Sequence, residues 1–317
     1  MTQTTTFLSQ FEEDVITGLQ SDKKRLSSKY FYDAKGDVLF QQIMMLDEYY
    51  LTNKEFEIFE TKKQQILDSL TQGEAIRIIE LGAGDGTKTK ILLKHFLESG
   101  CEFTYSPVDI SGNVLEILEN KLKSELPSLN IETYVGDYFH ALEEIGKKPG
   151  KDVVFFLGSN IGNFGEGGDT SFLSKLHSFM RKGDLLFMGV DMKKDPSIIL
   201  SAYNDREGIT REFNLNLLRR INEELAADFN VDQFQHYPYY NPQTGECRSY
   251  LISKKTQTMT IGERVIEFEA WESIFMETSK KYSESELNEI AKEVGFRPVT
   301  VFSDQDGWFS DVVWERF

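Results

Sequence analysis

Residues 77–93 read RIIELGAGDGTKTKILL: an apolar run closed by an acidic residue, three glycines at alternate positions, then a helix-forming stretch entered through Lys88. Glycine at 82, 84 and 86 frees the backbone for positive φ and for close approach, and a glycine-rich turn from strand to helix can cradle a ligand on its amides. Two further acids follow. Asp109 closes "SPVDI" and Asp137 stands in "VGDYF", each at the carboxyl end of a strand-like run. A carboxylate at Asp109 suits a pair of ribose hydroxyls, and Asp137 with Tyr138 suits an adenine amino group and its ring. Either aspartate alone reads equally well as a helix N-cap or turn residue. Together with the glycine turn they point to a nucleotide, because open α/β sheets bind ligands at the carboxyl ends of their strands. Lys88, at the start of the helix, reads either as a solvated lysine or as a partner for a carboxylate of the same ligand.

The glycine spacing separates two kinds of nucleotide. The dinucleotide fingerprint needs its third glycine three residues after the second, for close helix–strand packing, and that position here is Thr87. Glu80-x-Gly82-x-Gly84-x-Gly86 instead resembles the first motif of the Rossmann-like S-adenosylmethionine-dependent methyltransferases, whose loop packs against the amino acid and ribose parts of the cofactor. The resemblance implies S-adenosyl-L-methionine as cofactor, leaving as S-adenosyl-L-homocysteine. No metal is expected, since neither the four histidines (His95, His140, His177, His236) nor the two cysteines (Cys101, Cys247) show ligand spacing.

The elements that must position these residues form an α/β alternation from about residue 76 to 192. Strands are expected at "AIRIIEL", "EFTYSPVDI", "NIETYVGDY", "DVVFFLGSN" and "DLLFMGVDM". Helices are expected at "TKTKILLKHFLES", "SGNVLEILENKLKSEL" and "FLSKLHSFMRKGD", the last stopped by Gly183. Helical stretches over 196–229 and a strand–turn region with the turn signal "NPQTGE" follow. A helix at "YSESELNEIAKEVGF" and two strands at "PVTVFSD" and "FSDVVWER" close the chain. The first 58 residues read as amphipathic helices outside the alternation. The fold class is therefore α/β: a Rossmann-like class I methyltransferase sheet (59–193 plus 283–317) with a second, discontinuous α+β substrate-binding lobe (1–58 plus 194–282).

Composition narrows the partners. A net charge of −17 over 317 residues disfavours nucleic acid and anionic membranes, and no contiguous basic patch exceeds "SDKKR" or "DMKKD". Aromatic residues make up 13% of the chain, including 24 Phe and 13 Tyr, enough to line a pocket with rings. No run has the length of a membrane span. "MTQTTTFLSQFEED" lacks the basic and apolar segments of a secretion signal, so a reducing cytoplasm is the expected compartment. The expected form is a monomer acting on a small-molecule amino acid.

The flanking lobe carries a closer resemblance. "SKYFYDAKGDVLFQQIMMLDEYYLTNKE" (28–55), "FLGSNIGNF" (156–164), "GVDMKKDPSIILSAYNDREGITREFNLNLLRRIN" (189–222) and "METSKKY" (276–282) resemble the bacterial histidine Nα-methyltransferases of ergothioneine biosynthesis, a family with fungal homologues. The likeness covers essentially the whole chain. It implies transfer of three methyl groups to the α-amino group of L-histidine, giving hercynine. It further implies Gly82, Lys88, Asp109, Asp137 and Tyr138 on the cofactor side, with Gly158 and Ser159 nearby. Asn163 and Tyr203 would hold the amino acid's carboxylate and amine, and Tyr32 would line the amine end as a third catalytic residue. Tyr49, in preference to Tyr50, would share the pocket, and Glu277 and Ser279 would hold the imidazole, with Thr278 between them also expected to bind the substrate. That pair is chemically apt: on a strand, residues two apart share a face, and a carboxylate with a hydroxyl can read both ring nitrogens.

Simpler readings of the same residues are a surface carboxylate for Glu277, a turn cap for Asn163 and core aromatics for "EYY". Two departures from the family pattern stand out. "DGTKTK" replaces a Ser/Thr-rich version, and Ser249 in "ECRSYLIS" stands where a bulkier apolar residue is expected, leaving room for a larger ring. The alternatives are N-methylation of another aromatic amino acid or amine, such as tryptophan, tyrosine or a derivative, or a non-catalytic S-adenosylmethionine-binding module.

Overall fold

The computed structural model describes residues 2–146, 148–165 and 167–317, with side chains from Gln10 onward. The chain divides into two compact units, one of residues 1–50 and 194–279, the other of residues 51–193 and 280–317. Along the chain the first unit opens with α1 (Thr2–Leu19) and α2 (Ala34–Met44). The second holds α3 (Tyr50–Thr71), β1 (Ile76–Leu81), α4 (Thr89–Glu98), β2 (Phe103–Asp109), α5 (Gly112–Glu125), β3 (Asn130–Ile131) and β4 (Tyr134–Val135). It continues through α6 (Tyr138–Ile145), β5 (Lys151–Phe156), α7 (Gly168–Phe179) and β6 (Leu185–Asp191). The first unit resumes with α8 (Pro196–Tyr203), α9 (Ile209–Leu225), β7 (Phe234–Asn241), β8 (Glu246–Ser253), β9 (Gln257–Ile261), β10 (Arg264–Phe268) and β11 (Ser273–Lys280). The second closes with α10 (Glu284–Val294), β12 (Phe296–Ser303) and β13 (Phe309–Arg316).

The sheet unit is Rossmann-like. Its strands run in the order β12-β13-β6-β5-β1-β2-β3, with β4 also paired to β2. The pairs among β1, β2, β5 and β6 are parallel, whereas β13 runs antiparallel between β12 and β6. Every residue of β1 and β6 is buried, the continuous burial of strands covered on both faces. Strand order reverses between β1 and β5, which makes their carboxyl ends the place for a ligand.

Three local differences from the sequence reading have identifiable causes. The third strand is broken into β3 and β4, both parallel to β2 in one register. Tyr105 and Asp109 of β2 turn carbonyls to this edge and accept from the amides of Glu132 and Gly136. Pro107, midway between them, has no N–H to donate, so the ladder lapses there. Helix α7 stops at Phe179, before Gly183, because Asp184 turns the chain toward β6 by accepting from the amide of Arg181 at 2.6 Å and of Asp152 at 3.0 Å. Finally, residues 51–58 and 280–282 belong to the sheet unit. The former continue into the single helix α3. The latter are anchored by Lys281 to Asp191 at 2.8 Å, both fully buried, and by Lys280 to Asp169 at 2.9 Å.

In the first unit α8 and α9 pack on a three-stranded sheet of order β11-β8-β7, α1 and α2 pack on α9, and β9 and β10 form a separate hairpin. β7 and β8 are joined through the "NPQTGE" turn, closed by the Gly245 amide to the Asn241 carbonyl at 2.8 Å. Phe11, Val15, Phe31, Phe213, Leu217, Leu251 and Met276 are among its core residues. Asp33 caps α2, accepting from the Gly36 amide at 2.6 Å and from Asn216 of α9 at 2.9 Å. Gly36 is required by contact: a Cβ there would lie 1.8 Å from the Phe31 carbonyl oxygen. Gly36→Ala is therefore expected to destabilise the protein by about 2–3 kcal/mol, as overpacking against backbone does, read as a lowered urea midpoint at unchanged m-value.

No helix among the described residues is long and apolar enough to cross a membrane.

Candidate functional site

In the sheet unit the expected cofactor residues gather at the carboxyl edge on both sides of the reversal of strand order. The turn after β1 is left-handed at Gly82, Gly84 and Gly86 (φ +73°, +54° and +63°). The three glycines are needed for different reasons. A Cβ on Gly82 would meet the Tyr138 hydroxyl at 2.8 Å, and one on Gly86 would meet Leu118 of α5 at 2.4 Å. At Gly84 an added Cβ would have nothing within 4 Å, so that is where the loop opens to a ligand. Both ends of the turn are tied to Glu80, which is buried. Its carboxylate accepts from Thr89 at the start of α4, at 2.6 Å, and from the Tyr105 hydroxyl on β2. Burial outweighs these donors and pushes the Glu80 carboxyl up to about 7.

Asp109 ends β2 and accepts from the Ser111 amide at 3.0 Å through Oδ1, while Asp137 caps α6, accepting from the Phe139 amide at 2.9 Å. Both aspartates thus do the turn and capping work that was their simpler reading, each using one carboxylate oxygen. Tyr138 is half-buried, and burial together with the charges of Asp109 and Asp137 pushes its hydroxyl up to about 12. It stays a neutral hydroxyl beside Gly82.

The turn after β5 supplies the other side. Gly158 and Ser159 are both left-handed (φ +72° and +59°), and the Ser159 hydroxyl accepts from the Asp191 amide at 2.9 Å. Asn160 donates to the Leu157 carbonyl at 2.9 Å and so fixes the 3₁₀ turn that follows. The turn-fixing reading offered for Asn163 therefore applies to Asn160, while Asn163 lies exposed in that turn. Lys88 differs from expectation in its partner. It pairs with the buried Glu55 of α3, whose other oxygen accepts from the Gly158 amide at 2.8 Å. Nothing in the sequence around "TNKE" distinguishes Glu55 from the other acids of the chain.

These residues fit S-adenosylmethionine. An open approach at Gly84 suits a ligand lying along the backbone. The carboxylates of Asp109 and Asp137 retain acceptor capacity for hydroxyls and an amino group, and Lys88 supplies a cation for a carboxylate.

In the first unit the expected substrate residues form a row. Tyr32 packs edge-on to Phe40 at 5.6 Å and to Phe213 at 5.8 Å, and Phe40 packs edge-on to Tyr49 at 6.4 Å. Tyr49 packs edge-on to Tyr203 at 6.4 Å, and the Tyr203 hydroxyl donates to Ser279 at 2.8 Å. Phe40 and Phe213 join this row without having been singled out; their signal was helical spacing, which does not distinguish core from pocket. Tyr50 is separated from Tyr49 by its partner: it is buried, and Lys194 donates to its hydroxyl at 2.9 Å while lying 4.3 Å from its ring. On β11 Glu277 and Ser279 share one face. Thr278 points to the other, where its hydroxyl is buried without a hydrogen-bond partner, so it does not join the pair. Ser249 of β8 is buried, its hydroxyl 3.4 Å from Nε2 of His236 on β7. Burial, reinforced by the charge of Arg211 and opposed by Asp205, pulls His236 down to about 4, which keeps the ring neutral.

Comparison with known proteins identifies the family. A family model described as histidine-specific, SAM-dependent methyltransferase matches residues 11–316. The chain is 34% identical to the histidine N-alpha-methyltransferase of Mycobacterium tuberculosis, over 93% of this chain and 92% of that protein. It is 33% identical to the enzyme of the same name from Mycolicibacterium smegmatis, again over 93% and 92%. An L-tryptophan methyltransferase of Psilocybe serbica is 26% identical over 86% of this chain and 83% of that one. The chain belongs to the histidine-specific, S-adenosylmethionine-dependent methyltransferases and is an amino acid N-methyltransferase.

Proposed function

We propose that the enzyme trimethylates the α-amino group of L-histidine to hercynine, as in ergothioneine biosynthesis, with the sheet unit binding S-adenosylmethionine and the first unit binding the amino acid. The observation that carries this reading is the row Tyr32–Phe40–Tyr49–Tyr203, which ends on a hydrogen bond to Ser279 with Glu277 on the same strand face. It offers rings for an amine and a carboxylate with a hydroxyl for an imidazole.

Bound at the glycine turn, S-adenosylmethionine would supply a methyl group already activated by its sulfonium leaving group. Gly84 would give it backbone to lie on, Asp109 would take the ribose hydroxyls, and Asp137 with Tyr138 the adenine. The residues of the first unit have the remaining tasks. Attack needs a neutral amine, and a free amino acid is an ammonium near neutral pH. Burial in a neutral, ring-lined pocket disfavours that charge, and the proton would pass to water or to a tyrosine hydroxyl such as that of Tyr32. Tyr203 would hold the carboxylate and amine region. As methyl groups accumulate the nitrogen becomes a fixed cation, and Tyr32 and Tyr49 can stabilise it by about 0.5–2 kcal/mol per ring.

A second reading, the same methylation of tryptophan or a related amine, is favoured by one observation. Ser249, small and buried with its hydroxyl turned to His236, stands where a bulkier apolar side chain is expected. The likeness to an L-tryptophan methyltransferase supports it as well.

Calorimetry of the S-adenosylhomocysteine-loaded protein with histidine, its mono- and dimethyl forms, tryptophan and tyrosine should rank histidine and its methylated forms first, and product masses should advance to three added methyl groups. Tryptophan binding more tightly than histidine would replace the first reading with the second. Tyr203→Phe removes one hydrogen bond and should raise KM for the amino acid about fivefold, with S-adenosylhomocysteine affinity unchanged. Tyr32→Phe should slow the series or stop it before the third transfer while cofactor binding persists.

A further inference from the structure

Under the carboxyl edge of the sheet unit, one buried carboxylate connects the two turns that flank the reversal of strand order. Glu55 is 1% exposed. One of its oxygens takes the Lys88 ammonium, at the N-cap of α4 where the glycine turn ends, and the other takes the Gly158 amide at 2.8 Å. Gly189 on β6 makes the room: a Cβ there would lie 2.4 Å from Glu55 Oε1 and 3.1 Å from the Gly158 nitrogen. Opposite Gly189 on β13 stands Asp311, fully buried, with no hydrogen-bond partner on either carboxyl oxygen. Two acids therefore share the space around one glycine, and only Glu55 has a cation and an amide to hold its charge.

We propose that Glu55 is a positioning residue for the cofactor: as a carboxylate, with Asp311 kept neutral beside it, it sets Lys88 and the Gly158–Ser159 turn at the spacing that receives the cofactor's amino acid end. The amide bond from Gly158 braces two consecutive left-handed residues, one of them a serine, that would otherwise relax. The ion pair occupies one N–H of Lys88 and leaves the ammonium's other donors for a ligand carboxylate. The proposal rests on the assignment of S-adenosylmethionine to the glycine turn.

Glu55→Gln keeps an oxygen for the Gly158 amide and removes the charge that orients Lys88. Calorimetry should show S-adenosylhomocysteine affinity falling about tenfold or more. The KM for S-adenosylmethionine should rise in parallel while the KM for the amino acid changes less than about twofold. Glu55→Asp should recover part of the loss. Equal affinity of wild type and Glu55→Gln overturns the proposal. Absence of S-adenosylhomocysteine binding by the wild type overturns the cofactor assignment instead. If Glu55→Gln does not fold, Lys88→Gln at the half-exposed partner decides: wild-type affinity in that variant also overturns the proposal.

The neutral state of Asp311 is tested by Asp311→Asn. The groups facing Asp311 are Glu55 from α3, which with burial raises its carboxyl well above the ordinary range, and Lys88 at the start of α4, which opposes the rise. Its partners on β6 and β12, Gly189 and Phe302, are uncharged. The native state then keeps a proton that the unfolded chain releases, so this site loses stability as pH rises above the ordinary carboxylate range. Asp311→Asn should melt higher than wild type near pH 8, and the two should converge near pH 4. A variant that melts lower than wild type near pH 8 would show Asp311 ionised and overturn the division of charge.

Discussion

Glu55, Glu80, Asp191 and Asp311 are among the carboxylates that the sheet unit buries, and much of its local structure is the provision of a counterweight to them. An ionised carboxylate taken out of water loses several kcal/mol unless it finds a cation, hydrogen-bond donors or a proton. Asp191 has Lys281, Glu55 has Lys88 and an amide, Glu80 has two hydroxyls, and Asp311, whose carboxyl oxygens have no hydrogen-bond partner, has its carboxyl pushed well above the ordinary range by burial and by Glu55. These solutions also set the geometry. Glu80 ties both ends of the glycine turn to the sheet, and the Lys281–Asp191 pair draws residues 280–282 into this unit.

The glycines follow from the same crowding. Gly82 and Gly86 are kept small by a tyrosine hydroxyl and a leucine, Gly189 by a carboxylate, and only Gly84 faces open space. A glycine-rich turn is usually read as one ligand-binding unit, yet here most of its glycines answer to the protein's own packing. Of the three, Gly84 alone has no packing reason to be small. Positive φ alone would not separate these cases, since all three turn glycines have it.

This explains what was legible in the sequence. Parallel strands announce themselves by continuous apolar runs, and β1, β2, β5 and β6 lie where those runs are. Periodicity missed the break opposite Pro107 and the early end of α7. One depends on which neighbour a proline's absent N–H would have served, the other on an aspartate's choice of amides, and both are tertiary facts. The residues expected on the cofactor side stood out in the sequence because they sit at strand ends and carry their chemistry in their type. Glu55, Asp311, Phe40 and Phe213 were not, because an acid among 52 or a phenylalanine among 24 gains meaning only from its neighbours.

The aromatic row of the first unit carries the same lesson about charge in a different form. A carboxylate against the substrate amine would hold it as an ammonium, since an opposite charge favours the protonated state, and an ammonium has no lone pair with which to attack. Rings avoid that. Their attraction for a cation is weaker and does not depend on a hydrogen-bonding proton, so they compete little for the amine's proton yet still stabilise a nitrogen that has none left. In a chain carrying 52 acidic residues, the row Tyr32, Phe40, Tyr49 and Tyr203 presents rings where a carboxylate would hold an amine protonated, which is what the proposed methylation of an amine asks of its pocket.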